Sequence, residues 1–405
     1  MGETKGAFSM VQAAVVAPIS ARRGDPRRVF VILSGYHDYR SMRRANLHFI
    51  ADELRSHGSP YFFSIRYSRL TRFRDDPRRD LWRRSNQLEN VNGVGCYLWR
   101  TPIHPMRLPR WLGVFERRMF AAFAEQLPSA IRETISRANI VFVESGMAII
   151  YAPLLRRLNP QAQIVYMASD SLGAINQASA IKDAFQRDAR FFESARVPSP
   201  YLRDDVPASI PCYFIPHGID KSRFEGIGPS PYPQGTRNAV SVGSMLFDVA
   251  SFEIAASLFP DITFHAIGSG HQRPNRSNLI YHREMPFAAT LPFIKHSTLA
   301  IAPYGAGVEP YLAHTSMKLM QYDYLGLPAI CPAVVTGEGR RRFGYQPGDS
   351  TSIQRAITAA LAAGHGVGGS YLTWAEVTER LLNPQDFADT AVETSLNEPA
   401  PHAPS

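Results

Sequence analysis

The chain has 405 residues, of which 45% are hydrophobic and 20% are charged, and its formal net charge is +9. This length exceeds what one hydrophobic core usually holds, so we expect two domains, and the lack of extreme bias places the chain among soluble globular α/β proteins. Its three cysteines, Cys96, Cys212 and Cys331, are widely separated and odd in number, which argues against a disulfide framework and against a zinc site.

The two ends of the chain carry little structural signal. Residues 1–24 hold a mildly apolar run that is followed by arginines, and this pattern fits neither a signal peptide nor a membrane span. We therefore expect a flexible N-terminal tail over 1–24. Residues 391–405 are rich in proline and alanine and are predicted to be a disordered tail.

The first folded segment has the pattern of a Rossmann-like unit. The apolar run RVFVILS predicts a strand that ends at Ser34 and Gly35, and RRANLHFIADELRSHG has helical periodicity up to Gly58. The strands YFFSIRY, NIVFVES and QIVYMAS follow, with helices between them. Because no GxGxxG motif is present, the loop after the first strand is predicted to line a substrate crevice and not a dinucleotide site.

The N-terminal part of the chain is strongly basic. Between Arg22 and Arg118 there are twenty-one arginines, no lysine and nine acidic residues, which gives a formal charge of +12. Arginine suits phosphate groups and anionic lipid headgroups. The aromatic residues interleaved with these arginines include Trp82, Trp99, Trp111 and Phe115. A membrane surface, a nucleic acid and a solvated basic face are all compatible with this pattern.

Two carboxylates follow predicted strands of this first domain. Asp170 comes directly after QIVYMAS, and Glu144 follows NIVFV. Ligands bind at the carboxyl edge of a parallel sheet, and a carboxylate placed there can take a proton as a general base. Asp170 is the preferred candidate and Glu144 the second. The alternative for Asp170 is a structural role as the N-cap of a following helix.

Strands of the second half end in glycine turns. NAVSVGS and DITFHAIGSG each run from an apolar strand into glycine, and STLAIAPY ends a buried strand at Tyr304. Tyr304 is therefore a candidate for a diphosphate or base pocket, although polar residues at strand ends are also common for structural reasons.

The stretch YLAHTSMKLMQYDYLGLP predicts a helix with a phosphate site at its start. His314, Thr315 and Ser316 are polar residues ahead of the helical pattern, and a Gly-x-Pro sequence ends it. Free backbone N–H groups at a helix start carry about half a positive charge, and Lys318 adds a full charge in the first turn. Gln321 lies one turn further on the same face. The prediction is a diphosphate cradle, and the alternative is an ordinary capped helix.

These patterns together resemble a known family. The arrangement Ser-Met-Lys-Leu-x-x-Tyr-x-x-x-Gly-x-Pro resembles the donor-phosphate helix of GT-B glycosyltransferases. More narrowly, the chain resembles the GumK-type membrane-associated glucuronosyltransferases in the blocks RRANLHFI, RYSRL, CYLWRT, YMASD, VGSMLFD, SMKLMQYD and RFGYQPG, which stand in one order between about Val29 and Asp389.

The resemblance implies an α/β fold of the GT-B type, in which two Rossmann-like domains face each other across a cleft and a C-terminal helix returns to the first domain. On this basis we expect an N-terminal acceptor- and membrane-binding domain over 25–217. A nucleotide-sugar-binding domain is expected over 218–372, and a closing helix over 373–390.

The resemblance also implies roles for individual residues. The family's proposed general base carries over to Asp170, and Met245 would lie against the uracil. His314 departs from the family pattern, and a protonated imidazole there would add charge near the diphosphate. The residues that the motifs and the resemblance assign to donor binding are Gly243, Ser244, Met245, Leu246, Glu284, Tyr304, Thr315, Ser316, Met317, Lys318 and Gln321.

Two acidic positions of common retaining GT-B enzymes are occupied here by Gln321 and Ala313. Together with a single candidate base, this favours inversion by direct displacement. No DxD-like pair stands near the phosphate helix, so the helix dipole and Lys318 are expected to stabilise the leaving UDP, and neither a metal nor another cofactor is expected.

The function that the resemblance implies is transfer of glucuronic acid from UDP-glucuronate to a polyprenyl-diphosphate-linked oligosaccharide in exopolysaccharide biosynthesis. The expected partners are the UDP-sugar, the lipid-linked acceptor and an anionic membrane surface, with the enzyme peripheral to the cytoplasmic face of the inner membrane and with no nucleic acid. Another donor such as UDP-glucose, or epimerase chemistry on a nucleotide sugar, remains the alternative.

Overall fold

The structure is a computed structural model that describes residues 28–69, 71, 76–305, 307–338 and 340–390. The tails predicted at 1–24 and 391–405 lie outside these residues, as do several positions of the arginine-rich stretch, among them Arg22, Arg72 and Arg74. Two sheets organise the described chain, one formed before residue 215 and the other after residue 236.

The first sheet contains eight strands: β1 (Val29–Ser34), β2 (Ser59–Ser68), β3 (Leu88–Val91), β4 (Val94–Thr101), β5 (Ile140–Glu144), β6 (Gln163–Met167), β7 (Ser194–Val197) and β8 (Cys212–Phe214). Their order is β3-β4-β2-β1-β5-β6-β7-β8, and only the β3–β4 pair is antiparallel. The α-helices of this half are α1 (Asn46–Leu54), α2 (Gly113–Ala124), α3 (Ser129–Ser136), α4 (Ala152–Leu158) and α5 (Ser179–Arg187).

The second sheet is parallel throughout and contains six strands: β9 (Arg237–Val242), β10 (Ile262–Ile267), β11 (Leu279–His282), β12 (Leu299–Ile301), β13 (Ala329–Pro332) and β14 (Arg342–Tyr345). Their order is β11-β10-β9-β12-β13-β14. The α-helices of this half are α6 (Val249–Leu258), α7 (Phe287–Lys295), α8 (Leu312–Thr315), α9 (Met317–Tyr324), α10 (Ser350–Ala363) and α11 (Trp374–Leu382).

Both sheets are buried on their two faces. In β1, Phe30 and Ile32 belong to the core cluster of Leu47 in α1, whereas Val31 and Leu33 belong to the cluster on the opposite face. Neighbouring residues of a strand point to opposite faces, so a strand covered on both sides needs a continuous apolar run. This explains why the sequence of β1 shows no polar alternation.

Each sheet has the doubly wound order of a Rossmann-like domain. The strand order reverses beside the first strand, between β1 and β5 in one sheet and between β9 and β12 in the other. A crevice opens at such a reversal, outside the carboxyl ends of the strands. Loops from the carboxyl ends of both sheets meet, since Tyr311 contacts Asp170 and Arg43 contacts Glu284. The cleft between the domains is therefore lined by both crevices.

Helix α11 packs on the first sheet although it follows the second sheet in the chain. Trp374 stacks on Phe49 of α1 with the ring centroids 5.0 Å apart, and Val377 joins the core cluster on that face. The start of α11 touches the chain at Gly218, where the chain leaves the first domain. A Cβ atom at Gly218 would lie 2.8 Å from the backbone nitrogen of Trp374. Glycine at this position therefore lets the returning chain pass.

Among the described helices, none combines the length and the apolar character needed to cross a bilayer, and the longest, α10, has 14 residues.

Candidate active site

Helix α9 begins directly after its N-cap, Ser316. Ser316 Oγ accepts a hydrogen bond from Leu319 N at 3.2 Å and lies 2.5 Å from the hydroxyl oxygen of Tyr304. Thr315 Oγ1 donates to the carbonyl oxygen of Tyr311 at 3.2 Å. Both hydroxyls predicted to bind the donor are thus buried and bonded within the protein. The groups left for a phosphate are the backbone N–H groups of the first turn.

Lys318 lies in that first turn and reaches toward β9. Its Nζ atom is 3.5 Å from the carbonyl oxygen of Gly243 and 5.2 Å from the ring centre of Tyr304. Burial lowers the pKa of Lys318 to about 7. An adjacent phosphate would favour the charged ammonium, so the space between α9 and the end of β9 is suited to a diphosphate.

The loop after β9 is shaped by two residues with positive φ. Gly243 has φ +93° and Leu246 has φ +53°, a conformation that costs a bulky residue about 1–3 kcal/mol. Gly305 N donates to the carbonyl oxygen of Leu246 at 3.1 Å, which holds the turn beside the buried Tyr304. The side chains of Met245 and Leu246 are 51% and 53% exposed, so this loop offers apolar side chains as well as backbone.

The remaining predicted donor residues lie around this loop. Ser244 faces Gly270, the second glycine after β10. A Cβ atom at Gly270 would lie 3.3 Å from the Ser244 Cβ. Glu284 follows β11, and its exposed carboxylate lies 3.4 Å from the guanidinium of Arg43 in the first domain. Gln321 is half-buried one turn after Lys318, and Met317 is half-buried at the start of α9. Tyr304 is fully buried and contacts Ser316 and Lys318.

Asp170 lies in the loop after β6. Its backbone N–H donates to Ser145 Oγ at 3.2 Å, and its Oδ1 accepts a hydrogen bond from the Tyr311 hydroxyl at 3.1 Å. Burial raises the pKa of the Asp170 carboxyl above its usual value. Helix α5 begins only at Ser179, and its N-cap is Ala178, so Asp170 does not cap it. The carboxylate instead faces the second domain.

Glu144 is the last residue of β5 and lies at the reversal point of the first sheet. Its Oε2 accepts hydrogen bonds from Ser34 Oγ at 2.5 Å and from Gly35 N at 3.1 Å, while His37 Nε2 lies 3.4 Å from Oε1. Burial raises the pKa of Glu144 to about 7, and burial together with Arg78 lowers that of His37 to about 4. Glu144 is fully enclosed, so its contacts support the loop after β1.

A pocket of about 490 Å³, including its open mouth, lies in the first domain beside these carboxylates. The Arg66 guanidinium stacks on the Tyr36 ring 5.1 Å from its centre, and the Gln177 amide donates to the Tyr36 hydroxyl. Its apolar floor includes Phe120 and Met147. An aromatic ring, amides and arginines over an apolar floor are suited to a sugar or another polar ligand with an anionic group.

His314 lies two residues before the N-cap of α9, and its surroundings determine whether it carries a charge. Its Nδ1 lies 3.1 Å from Ser199 Oγ, and burial, with Arg340 and Arg342 nearby, lowers its pKa to about 4. The imidazole is therefore neutral at pH 7 and adds no charge at the helix start. The sequence left open whether His314 adds charge near the diphosphate, and burial, together with Arg340 and Arg342, favours the neutral imidazole.

Several residues of this cleft were missed in the sequence. Tyr311 begins the stretch that predicted the phosphate site, and Arg43 lies in the block RRANLHFI, but no motif assigned a role to either residue. The strand-end rule pointed to the loop that holds His37, but not to His37 itself. Across the described ranges, no group of three or more histidine, cysteine or acidic residues is arranged to hold a metal ion.

Comparison with known proteins shows extensive similarity. A family model described as Glucuronosyltransferase GumK, N-terminal domain, matches residues 32–198. The UDP-glucuronate:glycolipid 2-beta-glucuronosyltransferase of Xanthomonas campestris pv. campestris is 42% identical over 379 residues, which cover 93% of this chain and 94% of that protein.

Two solved structures share the fold at low sequence identity. The Anabaena HepE protein in complex with UDP has a TM-score of 0.55 at 11% identity, covering 89% of this chain and 99% of its own. The sucrose-phosphate synthase of Thermosynechococcus elongatus has a TM-score of 0.54 at 11% identity, covering 88% and 94%. These likenesses confirm the predicted GT-B fold. Because a relative of 42% identity spans nearly the whole chain, this protein belongs to the GumK glucuronosyltransferase family.

Proposed function

We propose that this glycosyltransferase moves glucuronic acid from UDP-glucuronate to a polyprenyl-diphosphate-linked oligosaccharide, with inversion at the anomeric carbon, in exopolysaccharide biosynthesis. The observation that carries the proposal is the contact of Tyr311 with Asp170, which brings the segment before α9 against the candidate base. The family relative named for UDP-glucuronate and a glycolipid, and the fold relative with bound UDP, support the choice of substrates.

In this reaction Asp170 takes the proton of the acceptor hydroxyl. The acceptor oxygen attacks the anomeric carbon as the bond from that carbon to the UDP oxygen breaks, and the bonding electron pair leaves with UDP. The first-turn N–H groups of α9 and the Lys318 ammonium stabilise the charge on the leaving diphosphate. These groups supply the stabilisation that a divalent cation gives in other transferases, so we propose a metal-independent reaction.

The donor lies, in this proposal, against the second domain. Its diphosphate lies between α9 and Gly243, and its uracil lies against Met245 with Glu284 near the base. Gln321, one turn after Lys318, reaches the ribose or a phosphate. The half-exposed apolar side chains of the β9 loop and the exposed Glu284 carboxylate are consistent with this arrangement. The acceptor glycan would then enter from the pocket lined by Tyr36 and Gln177.

The membrane contact is proposed for the segment around α2. Its exposed apolar residues occur together with arginines, and such a surface can be inserted into the headgroup layer of an anionic membrane. We propose peripheral attachment at the cytoplasmic face of the inner membrane, with no nucleic acid partner. The exposed apolar residues of this segment are Ile103 (64%), Met106 (44%), Trp111 (81%), Val114 (58%) and Phe115 (61%).

The decisive experiment is UDP release with a detergent-solubilised lipid-linked oligosaccharide, comparing UDP-glucuronate with UDP-glucose in the presence of EDTA. Turnover with UDP-glucuronate under these conditions is the expected result. Turnover with UDP-glucose alone would keep the transferase chemistry and reject the proposed donor, and activity that returns only when a divalent ion is added would reject metal independence.

A further inference from the structure

The segment Tyr311–Thr315, which includes α8, connects the two halves of the proposed active site. Thr315 immediately precedes Ser316, the N-cap of the phosphate-binding helix α9. At its other end, Tyr311 donates its hydroxyl hydrogen to Asp170 Oδ1 across the cleft at 3.1 Å. The hydroxyl oxygen of Tyr311 is thus the point where the second domain contacts the candidate base.

A second chain of polar contacts holds this segment on the first domain. His217 Nδ1 lies 3.3 Å from the carbonyl oxygen of Thr315, and His217 Nε2 lies 3.2 Å from the amide nitrogen of Asn46. A carbonyl oxygen only accepts hydrogen bonds, so Nδ1 carries the ring proton and Nε2 accepts from Asn46. The Asn46 amide also lies 3.4 Å from Ser169 Oγ, next to Asp170 in the chain.

His217 is suited to a fixed structural contact. The ring is buried, and burial lowers its pKa to about 3, so it stays neutral across the physiological range. Both ring nitrogens have partners, and a neutral ring keeps one donor and one acceptor in place. The segment that carries Tyr311 is therefore anchored to the base loop at two separate points.

We infer that Tyr311 is a positioning residue, which orients the Asp170 carboxylate so that it can take the proton of the acceptor. Tyr311 lies in the same segment that leads into the donor-phosphate helix α9. The inference rests on the proposed role of Asp170 as the general base. The hydrogen bond to Oδ1 fixes the rotation of the carboxyl group, and none of the described residues hydrogen-bonds to Oδ2. Oδ2 is thus the atom that receives the acceptor proton.

The groups around Asp170 determine how this contact affects its ionisation. Burial raises its pKa, the hydrogen bond from Tyr311 lowers it, and the Glu144 carboxyl raises it. His37 also faces the carboxyl and lowers its pKa, while Tyr36 and Tyr166 lie within electrostatic range. Removing the Tyr311 hydroxyl therefore leaves a carboxylate that is harder to ionise and free to rotate.

The test is the substitution Tyr311→Phe, which removes one hydroxyl and keeps the ring. We expect kcat to fall about tenfold or more, since a hydrogen bond to a charged group is lost. UDP affinity should be unchanged, and the acidic limb of the kcat pH profile should move to higher pH because Asp170 must be ionised to act. The matched control is Tyr61→Phe, which removes a hydroxyl near the amino end of β2, where it contacts Arg137.

Three outcomes would overturn the inference. An acidic limb that stays in place in Tyr311→Phe would reject the effect on Asp170, and a loss of UDP affinity would show that Tyr311 merely shapes the donor site. The third is full turnover in Asp170→Asn, which would reject the proposed base itself. An inactive Asp170→Asn together with a wild-type Tyr311→Phe would reject the positioning role alone, so the two failures are distinguishable.

Discussion

The carboxylate of Glu284 lies 3.4 Å from the guanidinium of Arg43, and this ion pair joins the loop after β11 to the loop before α1 across the cleft. Both side chains are more than half exposed. If Glu284 contacts the nucleotide as proposed, Arg43 competes with the donor for the same carboxylate. Exposed ion pairs contribute at most about 1 kcal/mol, so the competition is weak.

We expect Arg43→Ala to tighten UDP binding by up to about fivefold. The variant removes an ion pair worth at most about 1 kcal/mol, and this free energy corresponds to about a fivefold change in affinity. Isothermal titration calorimetry with UDP measures the effect. The control is Arg237→Ala, which removes an exposed pair with Asp261 at the amino end of the same sheet and should leave UDP affinity unchanged. Weaker UDP binding in Arg43→Ala would instead mean that Arg43 itself contacts the donor.

Lys318→Met is expected to weaken UDP binding about 10- to 100-fold, since a charge-assisted contact with phosphate is removed. Burial lowers the pKa of Lys318 to about 7 in the free protein, and a bound phosphate favours the charged ammonium. Above about pH 7, Lys318 must therefore take up a proton when UDP binds. Affinity of the wild type should fall as pH rises above about 7, whereas the variant should lack this component.

Calorimetry at a series of pH values checks this prediction. Lys182→Met is the control, because Lys182 is exposed on α5, a helix of the first half of the chain, whereas α9 belongs to the second. Unchanged UDP affinity in Lys318→Met would mean that the diphosphate binds elsewhere.

Glu144 should make the folded protein less stable as pH rises. Its pKa is raised to about 7 by burial, so the folded state holds a proton that the unfolded chain releases above its ordinary carboxyl pKa. The stability contributed by this proton is complete at acid pH and is lost as pH rises through about 7. Glu144→Gln keeps an acceptor for Ser34 and Gly35 and cannot ionise.

The expected result is a smaller fall of Tm between about pH 5 and about pH 8 in Glu144→Gln than in the wild type. Thermal unfolding followed by circular dichroism measures it, with Glu133→Gln on the exposed face of α3 as the control. The half-buried His37 has a lowered pKa and contributes in the opposite direction, but it is present in both proteins. Parallel curves for the two proteins would contradict the assignment of a raised pKa to Glu144.

Replacing both Trp111 and Phe115 by serine should weaken binding to anionic vesicles by about tenfold or more, because two exposed aromatic side chains are lost from the proposed insertion face. Vesicle co-sedimentation measures the change. Val367→Ser is the control, since Val367 is 95% exposed on the second domain. Turnover on a short, water-soluble acceptor should stay at the wild-type level. Unchanged sedimentation of the double variant would place the membrane contact elsewhere.

Part of the candidate site could be predicted because it depends on local rules. The apolar runs of β5 and β6 predicted strands, and in a parallel sheet Glu144, at the end of β5, and Asp170, shortly after β6, must lie at the carboxyl edge. The polar residues before MKLMQYDY predicted the start of α9, and Ser316 is its N-cap. Each of these features is decided by residues close together in the chain.

The sequence did not predict which side-chain groups of the site are free to bind a ligand. The hydroxyls of Thr315 and Ser316 are bonded to Tyr311 and Tyr304, and burial leaves His314 neutral. A motif shows which groups are available, but the tertiary neighbours determine which of them remain free for a ligand.

The sequence by itself determined several of the buried strands, the start of α9, the resemblance to the family and the strand-end positions of the carboxylates, because these follow from apolar runs, caps and contiguous motifs. Only the tertiary structure decided the contacts across the cleft. Tyr311 and Asp170 are 141 residues apart, and Arg43 and Glu284 are 241 residues apart. The pKa values of Glu144 and Lys318 were likewise decided by burial, which arises only when distant segments pack together.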